Sequence, residues 1–241
     1  MDTHAEKEKF NELVPHYLAF RQLLGFLGMF LPVILIIGSF LDGCGHLENS
    51  ISNYYYTALR DFFVVILSAV ALFLITYKGY DTTDKWVTSM AGILGLLTAF
   101  IPTNYKSGIC LPCYNQLEST LINQPNQIIP CPHSTYIGYI HLGCAAAFFL
   151  TLAGISIFLF TKKSETDKPT NEKLKRNRIY RICGGIMVFC VLVLVPCFIS
   201  HSLRDQYDKI NLVFWMESVA LEAFGFSWIV KGEFLLKDKP V

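Results

Sequence analysis

Charged residues are scarce in this chain. Asp, Glu, Lys and Arg make up 16% of its 241 residues, against 53% hydrophobic residues. Soluble domains carry about 25% charged residues, so this composition excludes an ordinary soluble domain and points to a core that faces lipid as well as itself. The chain also lacks the signatures of common chemistry. It has no Walker A loop, no Gly-x-Ser-x-Gly elbow, no His-Glu-x-x-His and no dinucleotide fingerprint, which argues against ATP-driven transport and standard cofactor reactions. Internal repeats, low-complexity tracts and a long polar domain are missing too, so the chain reads as one bundle. Nothing in it points to nucleic acid. Membrane lipids are the implied partners, and protein partners are not specified.

What the chain does have is six long apolar runs, at about 22–41, 58–77, 86–103, 135–161, 179–200 and 210–230. A helix needs roughly 20 apolar residues to cross a hydrocarbon core of about 30 Å. The expected fold class is therefore all-α, a polytopic transmembrane bundle of six spans. Residues 1–21 form an N-terminal segment, 22–230 a single six-helix domain and 231–241 a tail. The first run comes after a polar stretch from Asp2 to Arg21 and has no small-residue cleavage site after it, so it reads as a permanent span and not a signal peptide. Sixteen of the Lys and Arg residues fall on one side of these spans, with Lys162 to Arg181 the densest stretch. Arg60, Lys106, Arg204 and Lys209 make up the other side. The positive-inside bias then puts both termini in the cytoplasm. The same basic stretch has a second reading, as a site for anionic lipid headgroups.

Pro32 and Pro196 lie inside spans one and five, where a missing N–H and a ring clash kink a helix. Small residues gather on span three (Ala91, Gly92, Gly95, Ala99) and span four (Gly143, Ala145, Ala146, Ala147, Gly154), a pattern suited to close helix packing. Cys44, Cys110, Cys113 and Cys131 fall in outer loops, where an oxidising exterior favours two disulfides with three pairings open. Zinc is the competing reading, because Cys110, Cys113, Cys131 and His133 have ligand-like spacing and His46 lies near Cys44. Unpaired or redox-active thiols are the third.

Ionisable groups inside spans are costly and usually face the bundle interior. On the outer side, Asp61 opens span two, His141 lies about 9 Å into span four, and Glu217 reaches a similar depth in span six. These three are the candidate catalytic residues, with a metal held by Asp61, His141 and Glu217 as the one cofactor role left open. Ser52, Tyr55, Arg60, His201 and Glu222 are candidate substrate-binding residues around them. Each also has a structural reading: interface snorkelling for Arg60 and Asp61, an aromatic belt for Tyr54, Tyr55 and Tyr56, local hydrogen bonding for His141, and solvation for His201. Glu217 and Glu222 are about 140° apart on an ideal helix and do not share one narrow face.

Several stretches carry a resemblance. They are Ile51-Ser52-Asn53-Tyr54-Tyr55-Tyr56-Thr57 followed by Arg60-Asp61, then Tyr77-Lys78-Gly79-Tyr80-Asp81, His141 with the run ending Phe158-Leu159-Phe160-Thr161, and Phe224-Gly225-Phe226-Ser227-Trp228. From span two onward the chain resembles an uncharacterised family of bacterial six-span integral membrane proteins, a domain of unknown function, and more distantly the DRAM and Sfk type of six-span proteins. The resemblance implies a helical bundle in a bacterial inner membrane, and the family brings no established activity with it. Membrane hydrolases of the alkaline ceramidase type are a poorer match, because this chain has neither their seventh helix nor a His-x-x-x-His pair on a late span.

Three functional classes are consistent with these residues. The first is a protein with a polar pocket at outer-leaflet depth that binds a lipid or small amphiphile. The second is a membrane-embedded hydrolase acting on a lipid-linked substrate, with His141 as general base, Asp61 orienting it, Glu217 as acid or metal ligand, and Ser52 as nucleophile if its loop folds over the pocket. The third is a proton- or cation-coupled transporter or channel using Glu217 and Glu222 as relays.

Overall fold

A computed structural model describes residues 3–41, 46–77, 79, 81–103, 135–162 and 170–237. Among these residues the chain is helical and contains no strand. Its helices are α1 (Thr3–Leu41), α2 (Arg60–Thr76), α3 (Thr82–Phe100), α4 (Thr135–Gly154), α5 (Asn171–Ile199), α6 (His201–Lys209) and α7 (Leu212–Lys231). A 3₁₀ helix, Ile51–Tyr56, precedes α2, and a π-turn, Ile155–Leu159, extends α4. Four helices are long and apolar enough to cross a membrane: His16–Leu41, Tyr136–Leu159, Asn171–Cys197 and Leu212–Lys231. The shorter α2 and α3 have 17 and 19 residues.

Helix neighbours keep to chain order and then close. α1 packs on α2, α2 on α3, α3 on α4, α4 on α5, α5 on α7, and α7 returns to α1. The ring encloses one apolar core. On α2 the inward residues are Phe63, Ile66, Leu67, Val70, Ala71 and Leu74, a helical stripe at three- and four-residue spacing. Leu31 and Leu35 from α1, Phe148 from α4 and Phe224 and Trp228 from α7 meet it. Large apolar side chains also cover the outside, among them Phe40, Val65, Trp86, Phe158 and Phe189. So much outward apolar surface suits a hydrocarbon surround and not water.

Two crossings depend on glycine. A Cβ on Gly25 would sit 2.6 Å from the carbonyl oxygen of Gly225, and one on Gly92 would sit 2.4 Å from that of Ala71. The expected close packing of span three is thus present at Gly92, whereas a Cβ on Gly143 or Gly154 of span four meets nothing within 4 Å. α5 starts at Asn171, ahead of the apolar run that begins near 179, because Thr170 caps it, its Oγ1 accepting from Lys173 N–H at 3.2 Å, and the basic residues of its first turns are good helix formers.

The α2–α3 turn is tied to the end of α4 by charge. Asp81 caps α3, accepting from Asp84 N–H at 2.9 Å. Lys162 donates to Asp81 Oδ2 at 2.7 Å and also to Asp84. The ammonium beside it, with help from the Asp84 N–H, holds the Asp81 carboxyl below its usual range, and the two carboxylates hold Lys162 above the usual lysine range. A lowered carboxylate stabilises the fold fully above its ordinary pKa, and that contribution is lost as pH falls through the lowered value. Lys162→Met should therefore lower the unfolding midpoint in detergent by a few degrees at pH 7. The gap to wild type should shrink below about pH 4. An unchanged midpoint at pH 7 would show that this pairing is idle.

Candidate functional site

The loop between α1 and α2 is folded down onto the start of α7. Phe214 N–H donates to the Asn49 carbonyl at 3.0 Å, and Ile51 N–H donates to Glu217 Oε2 at 2.7 Å. Ser50 caps the 3₁₀ helix by accepting from Asn53 N–H at 3.1 Å, and the buried Tyr54 hydroxyl shares a 2.7 Å hydrogen bond with Ser39 of α1. These contacts form a roof. α5 ends at Ile199, α6 follows it, and Asn211 at φ 49° leads the chain into α7. Asparagine is one of the few residues that tolerates this left-handed conformation.

Under the roof lies a cavity of about 620 Å³ between α4, α5 and α7. Its walls are apolar, with Leu142, Ala146 and Phe149 from α4 and Val191, Leu194 and Val195 from α5. Its polar end carries Ser52, His141 and Glu217, and Arg204 and Asp208 of α6 stand with His46 and Glu48 around the mouth. Tyr139 and Val195 line the cavity and are also 55% and 41% exposed. Two of its lining residues, one on α4 and one on α5, thus also reach the surface of the bundle. A cavity of this volume that joins an apolar wall to a set of polar and charged side chains is a candidate ligand pocket.

His141 is 3% exposed, and its Nδ1 lies 2.6 Å from the Ile101 carbonyl oxygen at the end of α3. A carbonyl only accepts, so Nδ1 carries the proton, and Nε2 of the neutral ring is an acceptor. Glu217 is half-buried and spends one oxygen on the Ile51 N–H. Glu217→Ala should lose this hydrogen bond, costing about 1 kcal/mol, and loosen the roof. Glu217→Gln keeps an acceptor oxygen and should retain most of that stability in thermal unfolding. Equal losses in the two variants would show that the carboxylate does not hold the loop.

Of the expected site residues, Ser52, His141 and Glu217 share this cavity. Asp61 does not. It is exposed in the first turn of α2, on the same outward side as Val65 and Leu72, where it complements the positive end of the helix dipole. Tyr55 and Arg60 pair with each other, Arg60 donating to the Tyr55 hydroxyl at 2.9 Å with its guanidinium 4.4 Å from the ring centre. Neither lines the cavity. Glu222 is half-buried and also outside it. His201 opens α6 in its backbone, and its side chain lies outside the described residues, as do Cys44, Cys110, Cys113 and Cys131. Among the described residues no three His, Cys, Asp or Glu side chains come close enough to hold a metal ion, so Asp61, His141 and Glu217 are not assembled as a ligand set. The mouth residues His46, Glu48, Arg204 and Asp208 had one signal in the sequence, a polar segment with Arg204 and Asp208 four apart, which places them on one face of a helix.

Among the described residues the fold is all-helical, with four helices long and apolar enough to span a membrane. No protein-family model, curated protein or solved structure matches the chain.

Proposed function

We propose that this is a six-span membrane protein with both termini in the cytoplasm, whose cavity binds a lipid or small amphiphile from the outer leaflet. The observation that carries the proposal is a cavity of about 620 Å³ that joins apolar side chains of α4 and α5 to Ser52, His141 and Glu217. An amphiphile would place its tail along α4 and α5 and its headgroup under the roof, near Ser52, His141, Glu217 and Arg204. The six-span reading is supported by the closed ring and by the lengths of α2 and α3, which fall within the roughly 17–25 residues that cross a bilayer. It is also supported by the outward apolar side chains of those helices, among them Phe62, Leu72, Met90 and Ile93.

Native mass spectrometry of the full-length protein, purified in a mild detergent and stripped of loosely held lipid, tests the binding. One retained amphiphile per chain is the expected result. Bare protein, or lipids lost in a graded series with no preferred species, would overturn it. A second reading, hydrolysis of a lipid-linked substrate, is favoured by Ser52, His141 and Glu217 lining one cavity. Release of a product from the retained lipid on incubation would move the assignment there.

A further inference from the structure

Hydrogen-bond acceptors dominate the end of the large cavity that Ser52, His141 and Glu217 form. His141 Nδ1 donates to the Ile101 carbonyl, which leaves Nε2 of the buried neutral ring as its one acceptor. Glu217 receives the Ile51 N–H on Oε2, and its Oε1 makes no hydrogen bond among the described residues. Ser52 is 6% exposed, and its hydroxyl makes none either, although it can both accept and donate. None of these three atoms is among the fully buried side-chain nitrogens and oxygens of the described residues that lack a partner. Each is therefore reached from the cavity that all three residues line.

The three groups lie at one place. The Ile51 N–H on Glu217 sets Ser52, the next residue, beside that carboxylate. Ser52 and Glu217 also share a small adjoining void of about 20 Å³ with Ala145 of α4. Ala145 follows His141 by one turn, on the same face of α4 and about 6 Å along its axis. The roof, α4 and α7 thus each present an acceptor to the same end of the cavity.

An occupant of this end must bring donors. A phosphate or carboxylate group placed here would bring more acceptors and a second negative charge beside Glu217. A primary ammonium brings three N–H donors and no acceptor. Its positive charge also suits a carboxylate that forms no ion pair among the described residues. Arg204 of α6 lines the same cavity and suits a phosphate carried next to the ammonium, as in phosphatidylethanolamine. A single-chain amine offers the ammonium without that phosphate.

We propose that the polar end of this cavity selects amphiphiles with a primary ammonium headgroup, supplied either by phosphatidylethanolamine or by a single-chain amine. The inference rests on the amphiphile reading of the cavity and adds the headgroup to it. The full chain is placed in nanodiscs of phosphatidylethanolamine and phosphatidylcholine with matched acyl chains, at about pH 8, where amines are still protonated. Lipid retained after transfer to mild detergent is counted by native mass spectrometry. The two headgroups share a phosphate and a positive charge and differ in N–H donors. Phosphatidylethanolamine should be retained about tenfold over phosphatidylcholine. In a second arm, hexadecylamine in phosphatidylcholine nanodiscs is compared with hexadecyltrimethylammonium, its donor-free match. Preference for phosphatidylethanolamine with no retained hexadecylamine identifies the phospholipid as the source. Retention of hexadecylamine over its trimethylated match identifies the single-chain amine.

Glu217→Gln keeps an acceptor for the Ile51 N–H but turns the other oxygen into an NH₂ donor, so it should cut either preference to about twofold or less. Asp61→Asn, at an exposed carboxylate outside the cavity, should leave the preference unchanged. Equal retention of each amine and its trimethylated match, or a preference untouched by Glu217→Gln, would overturn the headgroup assignment and leave the amphiphile reading standing. No retained lipid or amine in either arm would overturn both.

Discussion

Replacing Gly225 by leucine should leave no folded bundle. A Cβ at this position would sit 2.4 Å from the carbonyl oxygen of Gly25, 2.4 Å from Met29 Cγ and 3.1 Å from the Met29 nitrogen. Two of those three atoms are backbone, so the clash cannot be relieved by a rotamer change and must push α1 and α7 apart. Overpacking of a well-packed contact costs about 1–3 kcal/mol and occasionally more. The upper end is expected here because α7 is the most enclosed of the four long helices, with 61% of its apolar window buried. Separating it from α1 disturbs Leu31, Phe224 and Trp228 together. Size-exclusion chromatography in mild detergent should show aggregate in place of a single peak. Gly225→Ala should survive with a clearly lower unfolding midpoint, since the methyl group alone makes the clash. Gly185→Leu, where a Cβ meets nothing within 4 Å, should behave as wild type. A well-folded Gly225→Leu protein would mean that α1 and α7 do not cross at these glycines.

Gly143→Trp should have the opposite character, with no effect on the fold and a large effect on the cavity. Gly143 lines the cavity, and a Cβ there meets nothing within 4 Å. An indole can extend into the empty volume without displacing a neighbour. The retained amphiphile should fall by about tenfold or more in native mass spectra, equivalent to at least about 1.4 kcal/mol of binding free energy. The unfolding midpoint of lipid-free protein should stay near that of wild type. Retention equal to wild type would place the amphiphile elsewhere on the surface.

The contrast between these two glycines marks what the sequence could and could not say. Both lie in apolar runs with other small residues within two positions, Ala223 and Ser227 for one and Ala145 for the other, and small residues suggest close helix contact. Gly225 makes that contact, while Gly143 leaves space. Telling them apart requires helix rotation, and rotation is poorly encoded in a span that is apolar on all sides, because lipid-facing and core-facing positions use the same residue types. The same limit explains the site. Ser52, His141 and Glu217 share one end of the bundle and one cavity. Asp61 shares the end but sits on the outward side of α2, and Arg60 and Tyr55 satisfy each other at the surface. Depth comes from counting residues along a helix, whereas convergence depends on which way each helix faces.

Helices reach beyond the apolar runs for a different reason. A hydropathy run measures the stretch that lipid can cover, so it missed the polar first turns of α5 and the whole of α6, whose nine residues are mostly polar. The 3₁₀ helix that roofs the cavity was hidden inside a tyrosine-rich stretch that also fits an interfacial belt. Its placement depends on a contact distant in sequence, the Ile51 N–H on Glu217. A small cavity at the other end of the bundle is lined by Arg21, Lys173, Arg176 and Lys231. Lys173 and Arg176 belong to the densest cationic stretch of the sequence, whereas Arg21 and Lys231 join them through the packing of α7 on α1.

Photolabelling tests the central claim most directly. A single-chain amphiphile carrying a diazirine near its headgroup is equilibrated with the wild-type protein in membranes, irradiated, and the labelled peptides are mapped. The account predicts labels concentrated at residues 139–149 of α4 and 191–197 of α5, and their disappearance in Gly143→Trp. Labels spread over the outward faces of α2 and α3, at Leu72 and Trp86 as strongly as on α4 and α5, and unchanged by Gly143→Trp, would contradict it.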